Sequence, residues 1–149
     1  MITAIAMTAV LVLGAPAPCA TTQDPAADKA AVHQAALDYV EALYEADPSK
    51  IERSVHPNLT KRGFMRGPNG QFGPMNTMTY PQLVELSGAW NKARNRDTSI
   101  KKVEVLDVLD QTATAKITAQ WGIDYMQLAK FDGRWKIVNI VWQTHPVNR

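Results

Sequence analysis

From Thr112 to Ile123 the chain alternates without interruption. Ala113, Ala115, Ile117, Ala119, Trp121 and Ile123 occupy one phase, and Thr112, Thr114, Lys116, Thr118 and Gln120 occupy the other. Successive side chains of a strand point to opposite faces, so this pattern predicts a long strand with one apolar and one threonine-rich polar face. Tyr125 to Phe131 continues it, and Asp132-Gly133 is a hairpin turn signal. The last strand, Arg134 to Thr144, is apolar on both phases: Trp135, Ile137 and Val141 on one, Val138, Ile140 and Trp142 on the other. A strand apolar on both faces has to be covered on both. Helices can cover one face, and a partner subunit is the natural cover for the other, so Val138, Ile140 and Trp142 are the expected homodimer interface.

Upstream the pattern is helical. Val32, Ala35, Ala36, Tyr39, Val40 and Leu43 recur at three- and four-residue steps from Asp28 onward. Asp47-Pro48 stops this helix, and Ser49 to Glu52 fits a capping box opening a second helix that runs to about Val55. Leu59 to Met65 reads as a short strand before a glycine- and proline-rich loop reaching Pro74. Thr79 to Gln82 opens a third helix that turns Leu83, Leu86 and Trp90 inward and ends near Arg94. Ile100 to Asp110, rich in valine and leucine, is a further strand. Helices followed by consecutive antiparallel strands give an α+β fold.

The 149 residues suit one domain, spanning 28–146, with enough length to bury a core. Sixteen basic and fourteen acidic residues leave a net charge of +2, spread too evenly for a nucleic-acid binder. The short cationic stretches at Lys61-Arg62 and Lys92 to Arg96 read as solvated surface. Residues 1–20 carry no charge and end in small residues, which reads as a secretory signal peptide with cleavage near Cys19 or Ala20. Residues 21–27 would then be a tether, and the product secreted or periplasmic. The apolar run falls short of the roughly 20 residues that span a bilayer, so no stable membrane insertion is expected. Cys19 is the sole cysteine, which excludes an internal disulfide; Pro16 and Pro18 before it disfavour a lipid anchor.

Three segments carry a family resemblance: Tyr44-Glu45-Ala46-Asp47, His56-Pro57-Asn58-Leu59-Thr60-Lys61-Arg62, and Asp124-Tyr125-Met126-Gln127-Leu128 with Gly133 to Trp142. Together they resemble the lumazine-binding family of the nuclear transport factor 2-like superfamily, whose cone-shaped fold is also used by SnoaL-like proteins, ketosteroid isomerase and scytalone dehydratase. The likeness covers roughly 26–146. It implies a strongly curved antiparallel sheet wrapped around the long first helix, a pocket inside the cone and pairing through the outer sheet face. One such fold hosts many functions, so the activity stays open.

His33, His56 and His145 match no metal-ligand spacing, and neither a phosphate-binding glycine loop nor a G-x-S-x-G elbow is present, so no metal or cofactor is expected. Proton transfer in a dry pocket remains a chemical alternative. In isomerase-like relatives the base is an aspartate just after the second helix; here Asn58 to Arg62 holds no acid. His56 is a candidate base, or else a histidine at a helix C-terminus. Asp124 either presents its carboxylate inward or serves as a turn acid after Gly122. Tyr39 lies on the first helix's apolar stripe, whereas the adjacent Asp38 points about 100° away and is expected in solvent. Tyr39, His56, Trp90, Trp121 and Tyr125 are the candidate ligand-binding residues; core packing is the alternative for each aromatic among them. The leading reading is an exported, dimeric binder of a small apolar or aromatic molecule. An acid–base lyase or isomerase is second, and an accessory domain filled by its own side chains third.

Overall fold

The computed structural model describes residues 24–147; the leader, Cys19 and the first part of the tether lie outside them. Helix α1 (Pro25–Glu45) is capped by the Asp24 carboxylate, which accepts from the Ala26 N–H at 2.9 Å. It therefore starts three residues before the expected boundary and takes in the end of the tether. Its stripe, Val32, Ala35, Ala36, Tyr39, Val40 and Leu43, is buried. Helix α2 (Pro48–Ser54) is capped two residues earlier than expected, by Asp47, which accepts from the Ser49 N–H and hydroxyl.

Strand β1 (Val55–Phe64) begins where α2 was expected to end, ahead of the strand expected from Leu59. Pro57 disfavours helical geometry at His56, and β-branched Val55 pairs with Ile137 instead. The proline sits where the register to the neighbouring strand shifts, a position that tolerates a missing N–H. After β2 (Asn76–Met78), Thr79 caps α3 (Tyr80–Ala89), with Gln82 Oε1 accepting from the Thr79 N–H at 2.8 Å. This helix ends at Ala89, short of the expected Arg94. Strands β3 (Lys101–Val108), β4 (Thr112–Ala119), β5 (Gly122–Phe131) and β6 (Arg134–Gln143) follow.

The six strands form one sheet in the order β2-β1-β6-β5-β4-β3. The sheet is mixed, not wholly antiparallel as expected, because β1 runs parallel to β6. The α+β class holds. Helix α1 packs on β3, β4 and β6 and against α2 and α3, which places the core between α1 and the sheet.

One irregularity decides which way the last strand faces. Leu128 pairs with Ile137 but Gln127 pairs with Asn139, so Val138 is an extra residue on β6. A bulge of this kind switches the side-chain phase. Trp135 and Ile137 point inward before it, and Ile140 and Trp142 point inward after it. Ile140 is fully buried in the core, Trp142 packs against that core, and Val141 is 44% exposed. The expected interface of Val138, Ile140 and Trp142 is thereby corrected: two of the three belong to the protein's own interior. Gly63 makes room for Trp142, since a Cβ there would meet its indole at 2.5 Å.

Candidate functional site

Three polar side chains from three elements meet beneath α1: Tyr39 of α1, Lys61 of β1 and Asp124 of β5. Their exposures are 0%, 6% and 0%. The sheet register builds the meeting. Lys61 lies beside Ile140 and Met126 in one inward row, and Asp124 lies in the next beside Ile117 and Trp142.

Lys61 Nζ donates to the Tyr39 hydroxyl at 2.6 Å and stands 3.8 Å from Asp124 Oδ2. The Asp124 carboxylate acts electrostatically on the Tyr39 hydroxyl as well. Trp121 Nε1 donates to both carboxylate oxygens, at 3.2 and 3.3 Å. The amine lies 5.3 Å from the Tyr39 ring centre and 5.4 Å from that of Trp142, an arrangement favourable to a cation. Behind this layer Trp121 meets Tyr39, Tyr44 and Trp90 edge-on, and Tyr44 stacks on Trp90 with centres 5.6 Å apart. The aromatic assembly is tied to the backbone because the Tyr44 hydroxyl accepts from the Gln120 N–H and donates to the Ile100 carbonyl.

Burial controls the electrostatics. It pushes the Tyr39 phenol well above the usual tyrosine range, and the charge of Asp124 pushes in the same direction. Burial also pulls Lys61 below the ordinary lysine range, against the opposing attraction of Asp124. The cluster thus holds a phenol that keeps its proton beside an amine that releases one more readily than a surface lysine.

Of the predicted site residues, the fold brings Tyr39, Trp121 and Asp124 together and sets Trp90 one ring behind. Asp124 faces inward as a core acid, not a turn acid. Tyr125 is 52% exposed on the opposite sheet face, paired across to Val141 and Lys116, so it lines no interior site. His56 is half-buried on the surface, stacked on Phe131 with centres 4.4 Å apart and accepting the Asn58 N–H at Nδ1. It lies apart from the cluster, which removes it as the interior base. Lys61 was missed, and Trp142, assigned to the partner interface, covers the cluster instead. The signal for Lys61 was local: Leu59, Lys61 and Gly63 form the buried phase of β1, while Thr60 and Arg62 form the exposed one.

A second polar place is an open cleft of about 610 Å3 between α1, α2 and the β5–β6 hairpin. Asp38 lines it, not solvated as expected but 5% exposed. Arg53 donates to both its oxygens at 2.7 and 2.9 Å, and Gln34 donates to one at 3.0 Å. The cleft shares none of Tyr39, Lys61 and Asp124. Among the described residues no group of three or more His, Cys, Asp or Glu is placed to hold a metal, and no helix is long and apolar enough to cross a membrane.

Comparison with known proteins agrees with this fold. A family model described as "Putative lumazine-binding" matches residues 27–143. An NTF2-like protein of unknown function from Silicibacter pomeroyi DSS-3 superposes with a TM-score of 0.64 at 16% identity, over 83% of this chain and 100% of that one. One from Shewanella baltica OS155 gives 0.59 at 17% identity, over 85% and 100%. A third, from Methylobacillus flagellatus KT, gives 0.57 at 20% identity, over 83% and 97%. A search of curated proteins gives no match. Identities this low carry the fold alone, whereas the family match runs through α1, the Lys61 strand and the Asp124–Trp142 rows. The chain belongs to the lumazine-binding family, on an NTF2-like fold.

Proposed function

We propose that this domain binds a small, flat aromatic molecule against the Tyr39–Lys61–Asp124 cluster. The observation that carries the reading is the cluster itself. Burying a lysine and a carboxylate is unfavourable by several kcal/mol per ion, on the order of the domain's whole stability, unless the pair is closely matched. At 3.8 Å this pair is loosely matched. Polar groups held in that way among Trp121, Trp142 and Tyr39 suit a ligand that adds hydrogen bonds to the amine and carboxylate and stacks on the rings. The family's description points to a pteridine-like heterocycle, flat and rich in carbonyl and ring-nitrogen acceptors.

Titration with lumazine tests this by intrinsic fluorescence, since Trp90, Trp121 and Trp142 all lie in or behind the site. Saturable quenching is expected, weakened at least tenfold in Asp124→Asn. No quenching and no heat of binding would overturn the reading.

A second reading has a specific observation behind it. Lys61 holds the Tyr39 hydroxyl at 2.6 Å and the Asp124 carboxylate at 3.8 Å, a grouping that favours acid–base lyase or isomerase chemistry carried by Asp124 and Tyr39. His56 has no part in it. In both readings the protein works outside the cytoplasm, supported by the composition of residues 1–20. Pairing of two copies would use the outer face around Tyr125 and Val141, which are half-exposed apolar side chains on neighbouring strands.

A further inference from the structure

We propose that Lys61 forms a reversible imine with a carbonyl group, so that the ligands of this site include flat aldehydes or ketones captured covalently. The inference rests on the binding site proposed above and assigns its chemistry.

The geometry carries it. An imine-forming lysine needs an amine kept out of bulk water, a neighbouring acid to protonate the carbonyl oxygen, and a base to take the surplus proton. Lys61 Nζ is buried, with its side chain 5% exposed. The Tyr39 hydroxyl, 2.6 Å away, is the proton donor in reach, and the Asp124 carboxylate stands 3.8 Å from the same amine. Asp124 is held in place by the Trp121 N–H, which fixes the acceptor side of the path. Trp142, partly exposed, covers the amine on one side and rests on the bare Cα of Gly63. Movement of that ring is the route by which a carbonyl compound would reach the amine. The downward pull of burial on the lysine supplies the neutral amine that attack requires.

The step balances without an oxidant or reductant. The lone pair of Nζ attacks the carbonyl carbon, a C–N bond forms, and the C=O electron pair moves to oxygen. That oxygen takes the Tyr39 proton, and the proton lost from nitrogen passes to Asp124 and back to the phenolate. A second proton transfer along the same path releases the oxygen as water as the C=N bond forms.

The test uses 6-methoxy-2-naphthaldehyde at low concentration with cyanoborohydride, which reduces an imine to a stable secondary amine. Intact mass and peptide mapping then locate the adduct. Lys61 is expected to label at least tenfold faster than the surface lysines Lys92 and Lys102. In Lys61→Arg that adduct disappears, and Lys61→Met serves if the arginine variant does not fold. Labelling confined to surface lysines overturns the inference. The two readings fail separately: lumazine quenching without a Lys61 adduct overturns the imine and leaves binding. A Lys61 adduct without lumazine quenching upholds the imine and overturns the pteridine-like ligand.

Discussion

Among the described residues two carboxylates are buried, Asp38 and Asp124, and their basic partners are set for different ends. Asp38 and Arg53 meet in a two-pronged contact at 2.7 and 2.9 Å, with Gln34 on the remaining lone pairs. Half of the Arg53 side chain stays in water, so little desolvation is paid. Lys61 and Asp124 meet at 3.8 Å with both charges out of water and a phenol between them. The first pair is complete and ties α1 to α2. The second has spare hydrogen-bonding capacity in a dry aromatic setting, which is what a binding or reacting group requires. A complete pair stabilises an interface; an incomplete one is kept despite its cost.

Breaking the pairs should separate them. Asp124→Ala leaves a buried lysine with only a phenol for a partner, and a loss of about 3 kcal/mol in urea unfolding is expected. A loss below about 1 kcal/mol would mean that the interior pair is as dispensable as a surface one. Asp38→Ala should cost less, about 1 kcal/mol, because Arg53 can return to solvent. Equal losses would erase the distinction drawn here.

The pH dependence of stability sharpens the comparison with the smallest effect, a slope at alkaline pH. Lys61 is lowered in the folded state, so below the ordinary lysine value of about 10.5 the unfolded chain holds a proton that the folded one has released. Stability therefore rises with pH through that window. Tyr39 is raised, so above its ordinary value of about 10.0 the folded phenol keeps a proton that the unfolded one loses, and stability falls. Unfolding midpoints between pH 8 and 11 should lose the rise in Lys61→Met and the fall in Tyr39→Phe. Unchanged profiles in both variants would show that neither group titrates differently on folding.

Much of the fold was legible in the residues. The alternation from Thr112 onward, the Asp132-Gly133 turn and the stripe of α1 each produced the element they predict, because period and turn chemistry are local properties. The helix boundaries slipped where two caps compete within two residues, as at Asp47 and Ser49. The site was half legible. Tyr39 could be placed because a helical stripe fixes its direction. Asp124 and Trp121 were recognisable as candidates, but their meeting depends on how β5 registers against β4 and β6. Lys61 was misread because residue type was weighed above position. Lysine is mostly exposed, yet the phase set by Leu59 turned this one inward.

The sequence by itself determined the central turns of the three helices, the bodies of the longer strands, and which face of β4 is apolar. Backbone periodicity and turn residues act within a few positions, so the chain needs no partner to express them. The tertiary structure alone decided the parallel pairing of β1 with β6, the bulge at Val138 and the convergence of Tyr39, Lys61 and Asp124. The physical reason is register. One extra residue inverts every later side chain of a strand, and only the neighbouring strand determines where that residue goes.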